Sequence, residues 1–103
     1  MPDDAQVDAA VAAFALMADP TRLRVMWALG QGELDVATLA GLAGTSSTGA
    51  SQHLAKLRLA GLVATRKDGR RVLYRAQDGH VRVLLAQALS HADHQVRPTA
   101  HHD

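Results

Sequence analysis

A chain of 103 residues with a net charge of +1 makes one small domain, whose core is thin enough that an oligomer burying more apolar surface is expected. Its apolar residues, 48% of the total, are mainly Ala, Leu and Val beside one Trp, one Tyr and one Phe, a helix-rich composition. The absence of cysteine excludes disulfides, thiolate redox switches and soft-ligand copper sites, and with no long apolar run or basic-then-apolar leader the expectation is a cytoplasmic protein without a membrane span.

The first element is acidic, with Asp3, Asp4, Asp8 and Asp19 in residues 1–19 and no Lys or Arg. Val7, Val11, Phe14, Ala15 and Leu16 recur near helical spacing, which predicts an Ala-rich packing helix ending around Met17 or Ala18. Asp19-Pro20 then reads as an N-cap and first-turn proline, opening a second helix through Leu23, Val25, Met26, Trp27 and Leu29 that Gly30 and Gly32 stop. Asp35 caps a short third helix with Val36, Leu39, Ala40 and Leu42 on its apolar side, closed by Gly44. Thr45, Ser46 and Ser47 offer caps for a fourth, with buried positions at Ala50, Leu54, Leu57 and Ala60 and its end at Gly61. Three short helices with a tight Gly-containing turn before the last form a helix-turn-helix candidate.

After Gly61 the period changes. Leu62-Val63-Ala64-Thr65-Arg66-Lys67 and Arg71-Val72-Leu73-Tyr74-Arg75-Ala76 are β-prone runs flanking Asp68-Gly69, a two-residue hairpin turn signal. The segment from 56 to 82 carries Lys56, Arg58, Arg66, Lys67, Arg70, Arg71, Arg75 and Arg82 against Asp68 and Asp78, so it is either a solvated basic surface or a face for an anionic partner. Asp78 is expected to cap a final helix through Val81, Leu84, Leu85, Ala88 and Leu89 to about Gln95, with Leu84, Leu85, Ala88 and Leu89 supplying apolar dimer contacts. The predicted fold is mainly α with a small β-hairpin: a winged helix-turn-helix of five helices and a two-stranded wing. Residues 1–95 form the DNA-binding and dimerisation domain, and residues 96–103, with Pro98, a flexible His-containing tail.

A recognition helix needs short polar donors near its N-terminal end to reach base edges, and Ser47, Thr48, Ser51, Gln52 and His53 supply them. Lys56 and Arg58 can hold phosphates, and the hairpin residues Arg66, Lys67, Arg70 and Arg71 can add salt-dependent backbone affinity. The competing reading of the Ser/Thr cluster is helix capping. For His53 a DNA or packing contact is favoured over metal ligation.

Five of the six histidines fall in the last 24 residues, and the final helix carries Asp78-x-His80 and then His91-x-x-His94. His80 and His91 lie on nearly one helical face but about 16 Å apart along the axis, too far for one ion. If a second copy of the helix runs antiparallel across a two-fold axis, Asp78 and His80 of one chain meet His91 and His94 of the other, which gives two equivalent sites. Such a four-ligand N/O set suits tetrahedral Zn(II), while His101 and His102 in the tail can raise the coordination number. Asp78 has the competing role of helix cap.

Asp19-Pro20-Thr21-Arg22-Leu23-Arg24-Val25, then Ser51-Gln52-His53-Leu54-Ala55-Lys56-Leu57-Arg58-x-Ala60-Gly61-Leu62-Val63, then Arg66-x-x-Gly69-Arg70-x-x-x-Tyr74, resemble successive blocks of the ArsR/SmtB metalloregulatory repressors. The resemblance spans about Ala18 to His94. In His80-Val81-Arg82 and His101-His102 the chain is most similar to the family's KmtR/NmtR-type nickel and cobalt sensors, although Met1-Pro2-Asp3 lacks the N-terminal His donor of the NmtR pattern. The resemblance implies a homodimer through the first and last helices that binds double-stranded operator DNA and is released by Ni(II) or Co(II), with Zn(II) as the other metal. It also implies a second ligand scheme, in which Asp93 competes with His91, and a hydrogen bond linking His91 to the backbone at Gly61. Two other classes stay open. One is a winged-helix regulator controlled by another signal or a partner protein, with the histidines incidental; the other is a small metal hydrolase, for which no HExxH, nucleophile elbow or phosphate loop is present.

Overall fold

A computed structural model describes residues 1–97. Each of the first four helices begins on a side-chain cap. Asp3 accepts from the Gln6 N–H at 2.8 Å while Gln6 Oε1 accepts from the Asp3 N–H, a capping box that opens α1 (Asp4–Met17). Asp19, Asp35 and Ser46 accept in the same way from Arg22, Thr38 and Gly49, opening α2 (Pro20–Leu29), α3 (Val36–Ala43) and α4 (Ser47–Leu59). The turn between α3 and α4 depends on Gly44, whose φ of 71° lies where a side chain is strained. Gly44 N–H donates to the Gly41 carbonyl and Thr45 N–H to the Ala40 carbonyl, the paired bonds of a Schellman closure. An equivalent pair, Gly61 to Arg58 and Leu62 to Leu57, ends α4 and turns the chain into the wing.

The wing is β1 (Val63–Asp68) paired antiparallel with β2 (Arg71–Ala76), from Val63 opposite Ala76 to Asp68 opposite Arg71. Its two-residue loop is therefore Gly69-Arg70, one residue later than the Asp68-Gly69 turn expected from sequence. Among the described residues positive φ is confined to glycine, so Gly69, at 63°, supplies it at the first loop position alone, as a type II′ turn requires. Leu34, between α2 and α3, adds a bridge to Tyr74 through bonds of 3.1 and 2.8 Å. A single-residue rung leaves no periodic signal.

Val25 and Met26 of α2, Leu39 of α3 and Leu54 and Leu57 of α4 form the fully buried centre, joined by Met17, Val63, Leu73 and Leu85. Each such side chain contributes about 1.5–3 kcal/mol on burial. Two sequence expectations are corrected here. Ala60 is exposed, because α4 ends at Leu59 and Ala60 sits in its C-cap. On α1 only Met17 is buried, so the helix meets the core by its C-terminal end while Val7, Val11 and Phe14 remain 42%, 60% and 56% exposed.

The last helix, α5 (His80–Val96), packs on α2 and buries only Leu85. The residue in its N-cap position is Gly79 rather than Asp78, and Gly79 has no side chain to cap with. Asp78 nevertheless accepts from the His80 N–H at 2.9 Å, so its carboxylate satisfies a first-turn donor from one residue upstream. Among the described residues no helix is long and apolar enough to cross a membrane.

Candidate nucleic-acid interface and candidate metal centre

Burial of Ala50, Leu54 and Leu57 fixes which way α4 faces. The rest of its circumference presents Ser47, Thr48, Ser51, Gln52, Lys56 and Arg58 to solvent, as expected for a recognition helix. Ser46 is the cap, so Ser47 and Thr48 are not the N-cap that the competing reading required. His53 differs from this set: it is half-buried, with Nδ1 3.3 Å from Nη1 of Arg22 on α2. Of its two expected roles, the packing contact is the one its surroundings fit.

The basic wing divides in two. Arg66 makes a two-pronged contact with Glu33, at 2.7 and 2.9 Å, and Arg71 reaches Asp35 at 3.2 Å. Glu33 and Asp35 flank Leu34, so both ion pairs hold the wing to the linker that also bridges Tyr74. The Arg66 hydrogen bond holds the Glu33 carboxyl below its ordinary pKa and is itself the main reason the Arg66 guanidinium is raised. The Asp35 carboxyl is lowered first by the Thr38 N–H it caps, with Arg71 adding to the effect. Lys67 and Arg70 are exposed beside and in the loop and have no such tether to the linker. Sequence reasoning missed the anchoring acids and Arg22, because their partners lie more than thirty residues away and only tertiary packing brings them together.

On α5, Leu85 faces the core and is 4% exposed, so the expectation that it contributes to a dimer seam is corrected: it packs against its own chain. At about 100° per residue, His80, Leu84, His91 and His94, with Val83 and Gln87, lie on the arc turned away from Leu85. Val83 and Leu84 there are 57% and 39% exposed. Asp93, on the other side of the helix, pairs with Arg97. Within the described residues of one chain, no group of three or more His, Asp or Glu is close enough to hold a metal ion. The chain thus does not bring Asp78 and His80 to His91 and His94 by itself. His101 and His102 lie outside the described residues.

An open apolar groove of about 530 Å³ runs between α2 and α5, lined by Pro20, Leu23, Arg24, Trp27, Ala28, Leu42 and Leu89. Arg24 is the one ionisable group in that lining, which offers neither a nucleophile nor a general base.

A tri-helical unit with a polar-faced third helix, followed by a basic two-stranded wing, defines a winged helix-turn-helix transcriptional regulator. Residues 17–66 match the family described as a helix-turn-helix domain. Over 94 residues the chain is 46% identical to the HTH-type transcriptional regulator KmtR of Mycobacterium tuberculosis, covering 91% of this chain and 72% of that protein. It is 37% identical to the HTH-type transcriptional regulator NmtR of the same organism, covering 90% and 78%. A solved homodimeric winged helix-turn-helix DNA-binding domain from Mycobacterium bovis, a possible ArsR-family regulator, superposes with a TM-score of 0.83 at 31% identity, covering 99% of this chain and 97% of that one. The chain belongs to the ArsR/SmtB family of metalloregulatory winged-helix regulators. Its relatives are transcriptional regulators, and it is one too, not an enzyme.

Proposed function

We propose that this protein is a cytoplasmic, metal-responsive repressor: a homodimer that holds operator DNA and releases it when Ni(II), Co(II) or Zn(II) binds at the paired C-terminal helices. The observation that carries this reading is the orientation of α5, whose histidines sit among exposed apolar residues on the face turned away from the chain's own core. Such a face is expected to meet a second copy, with α1 and its exposed Val7, Val11 and Phe14 as the other dimer element.

The donor set fits a divalent ion in its chemistry. His91 and His94 are one turn apart and can converge on one point, and Asp78, with one oxygen on the His80 N–H, keeps a second for an ion. Asp93, which pairs with Arg97, is the alternative donor to His91 beside Asp78, His80 and His94. His101 and His102 are the additional donors that would separate six-coordinate Ni(II) or Co(II) from four-coordinate Zn(II). A bound ion supplies a crosslink between two helices. The chain converts that crosslink into a change of spacing between its two recognition helices, so that Ser47, Thr48, Ser51 and Gln52 of both copies no longer fit successive major grooves. The family resemblance adds a route for this, a hydrogen bond from His91 to the backbone at Gly61, where α4 ends.

Fluorescence anisotropy of a labelled duplex, titrated with each metal, tests the reading, and the visible absorption of the Co(II) form counts ligands. Metal-dependent release with a strong tetrahedral spectrum supports the four-residue site, whereas a weak octahedral one brings in the tail. DNA binding indifferent to all three metals would leave the other reading, a winged-helix regulator answering to a different signal or partner.

A further inference from the structure

Arg22 occupies a junction that neither metal nor DNA contact accounts for. Its backbone N–H is held by Asp19 at 2.9 Å, which also keeps the Asp19 carboxyl below its ordinary pKa. Its Nε donates to the Leu16 carbonyl at 2.7 Å, in the last turn of α1. That turn has no basic residue of its own, so Arg22 supplies both a donor for a carbonyl left without a helical partner and a cation at the negative end of the helix. The same guanidinium then extends Nη1 to His53 Nδ1 on α4. One side chain thereby touches the last turn of α1 and the middle of the recognition helix, and α1 is the helix whose apolar face is left exposed.

The chemistry of this contact is one-sided. A guanidinium has five N–H donors and no acceptor and stays protonated, so the nitrogen facing it must accept. His53 Nδ1 can accept from that donor only in the tautomer that carries its proton on Nε2. An ammonium at position 22 would keep the charge but could not fork to both Leu16 and His53.

We propose that Arg22 is a positioning residue for DNA recognition, which ties α4 to the end of α1 through His53 and fixes that imidazole as the Nε2–H tautomer. His53 then serves as the anchor by which the recognition helix is oriented, and its contribution to DNA affinity passes through Arg22. The proposal rests on the reading of α4 as the DNA-contacting helix, and its test separates the two.

The test uses the full chain and a fluorescein-labelled duplex selected from a random-sequence pool by the wild-type protein, with an unselected duplex as control. His53→Leu and Arg22→Lys are each expected to weaken binding to the selected duplex by about tenfold, the scale of a charged hydrogen bond, with less effect on the unselected one. The double variant is expected to lose no more than either single one. His53→Asn, which places an amide oxygen at the Nδ1 position, is expected to bind close to wild type. Long-range nitrogen-15 NMR of histidine-labelled protein at about pH 8, above the ordinary imidazole pKa, should show His53 protonated at Nε2 in wild type. Additive losses, or a His53→Asn protein as weak as His53→Leu, overturn the proposal by making His53 a direct DNA contact; a proton on Nδ1 overturns it irrespective of DNA. A wild-type protein that selects no duplex refutes the DNA reading of α4, while the tautomer still decides the Arg22 contact.

Discussion

Single side chains here often hold two elements at once. Asp35 caps α3 through Thr38 and also receives Arg71 from the wing, and Arg22 joins α1, α2 and α4. The residues proposed to meet ligands are arranged differently, with their polar ends in solvent. Arg70 sits exposed in the wing loop, so Arg70→Ala should lower DNA affinity for all sequences and reduce its salt dependence by about one phosphate contact, leaving release by metal intact. Anisotropy titrations at several salt concentrations measure this, and an unchanged salt slope would remove Arg70 from the interface. His91→Asn keeps a polar side chain but removes an imidazole donor. It should weaken metal binding and also uncouple what binding remains from DNA release; release equal to wild type at metal saturation would refute the proposed route from His91 to Gly61.

Among the elements, the wing and α5 show how local chemistry and packing divide the labour. The wing is tied to the linker around Leu34 by one backbone bridge and two ion pairs whose carboxyls lie below their ordinary pKa values. Glu33, lowered by Arg66, stabilises the folded wing above the ordinary carboxylate pKa of about 4, and that contribution fades as the pH falls through its lowered value, while Asp35, lowered first by the Thr38 N–H, stabilises chiefly the start of α3. Both pairs are solvent-exposed, so the effect is local. Acidification through this range should therefore lower the hydrogen-exchange protection of Leu34 and Tyr74, relative to intrinsic rates at the same pH, before it affects that of Leu54 and Leu57 in α4. Equal protection of the bridge on both sides of the range would show that the pairs do not hold the wing. On α5, neighbouring leucines have opposite roles. Leu85→Ala should cost about 2–5 kcal/mol of chain stability by thermal or denaturant unfolding, since Leu85 is in the core. A loss below about 1 kcal/mol would mean that α5 is not fastened there.

For the whole molecule, the exposed faces of α1 and α5 are what a thin core leaves uncovered. Leu84→Glu puts a carboxylate on the proposed seam without touching the core, and should leave the helical circular dichroism intact while shifting the sedimentation of the protein from dimer to monomer. A Leu84→Glu protein that remains dimeric would place the seam elsewhere, on the exposed face of α1 or in the apolar groove beside α2.

The sequence by itself determined the fold class and most element boundaries, because these depend on local signals: Asp19 and Asp35 as caps, the Thr45-Ser46-Ser47 run among which the structure selects Ser46, Gly44 and Gly61 as closures, and a change of period after Gly61. It also marked the polar face of α4 and the eleven-residue gap between His80 and His91, since helix geometry alone fixes both. Only the tertiary structure decided that Leu85 faces inward and that His53 meets Arg22. It also turned Arg66 and Arg71 back onto Glu33 and Asp35. These facts depend on which elements come together across thirty or more residues, and on the depth at which each helix docks. No short-range pattern carries that information, because a side chain's partner there is set by the packing of the whole core.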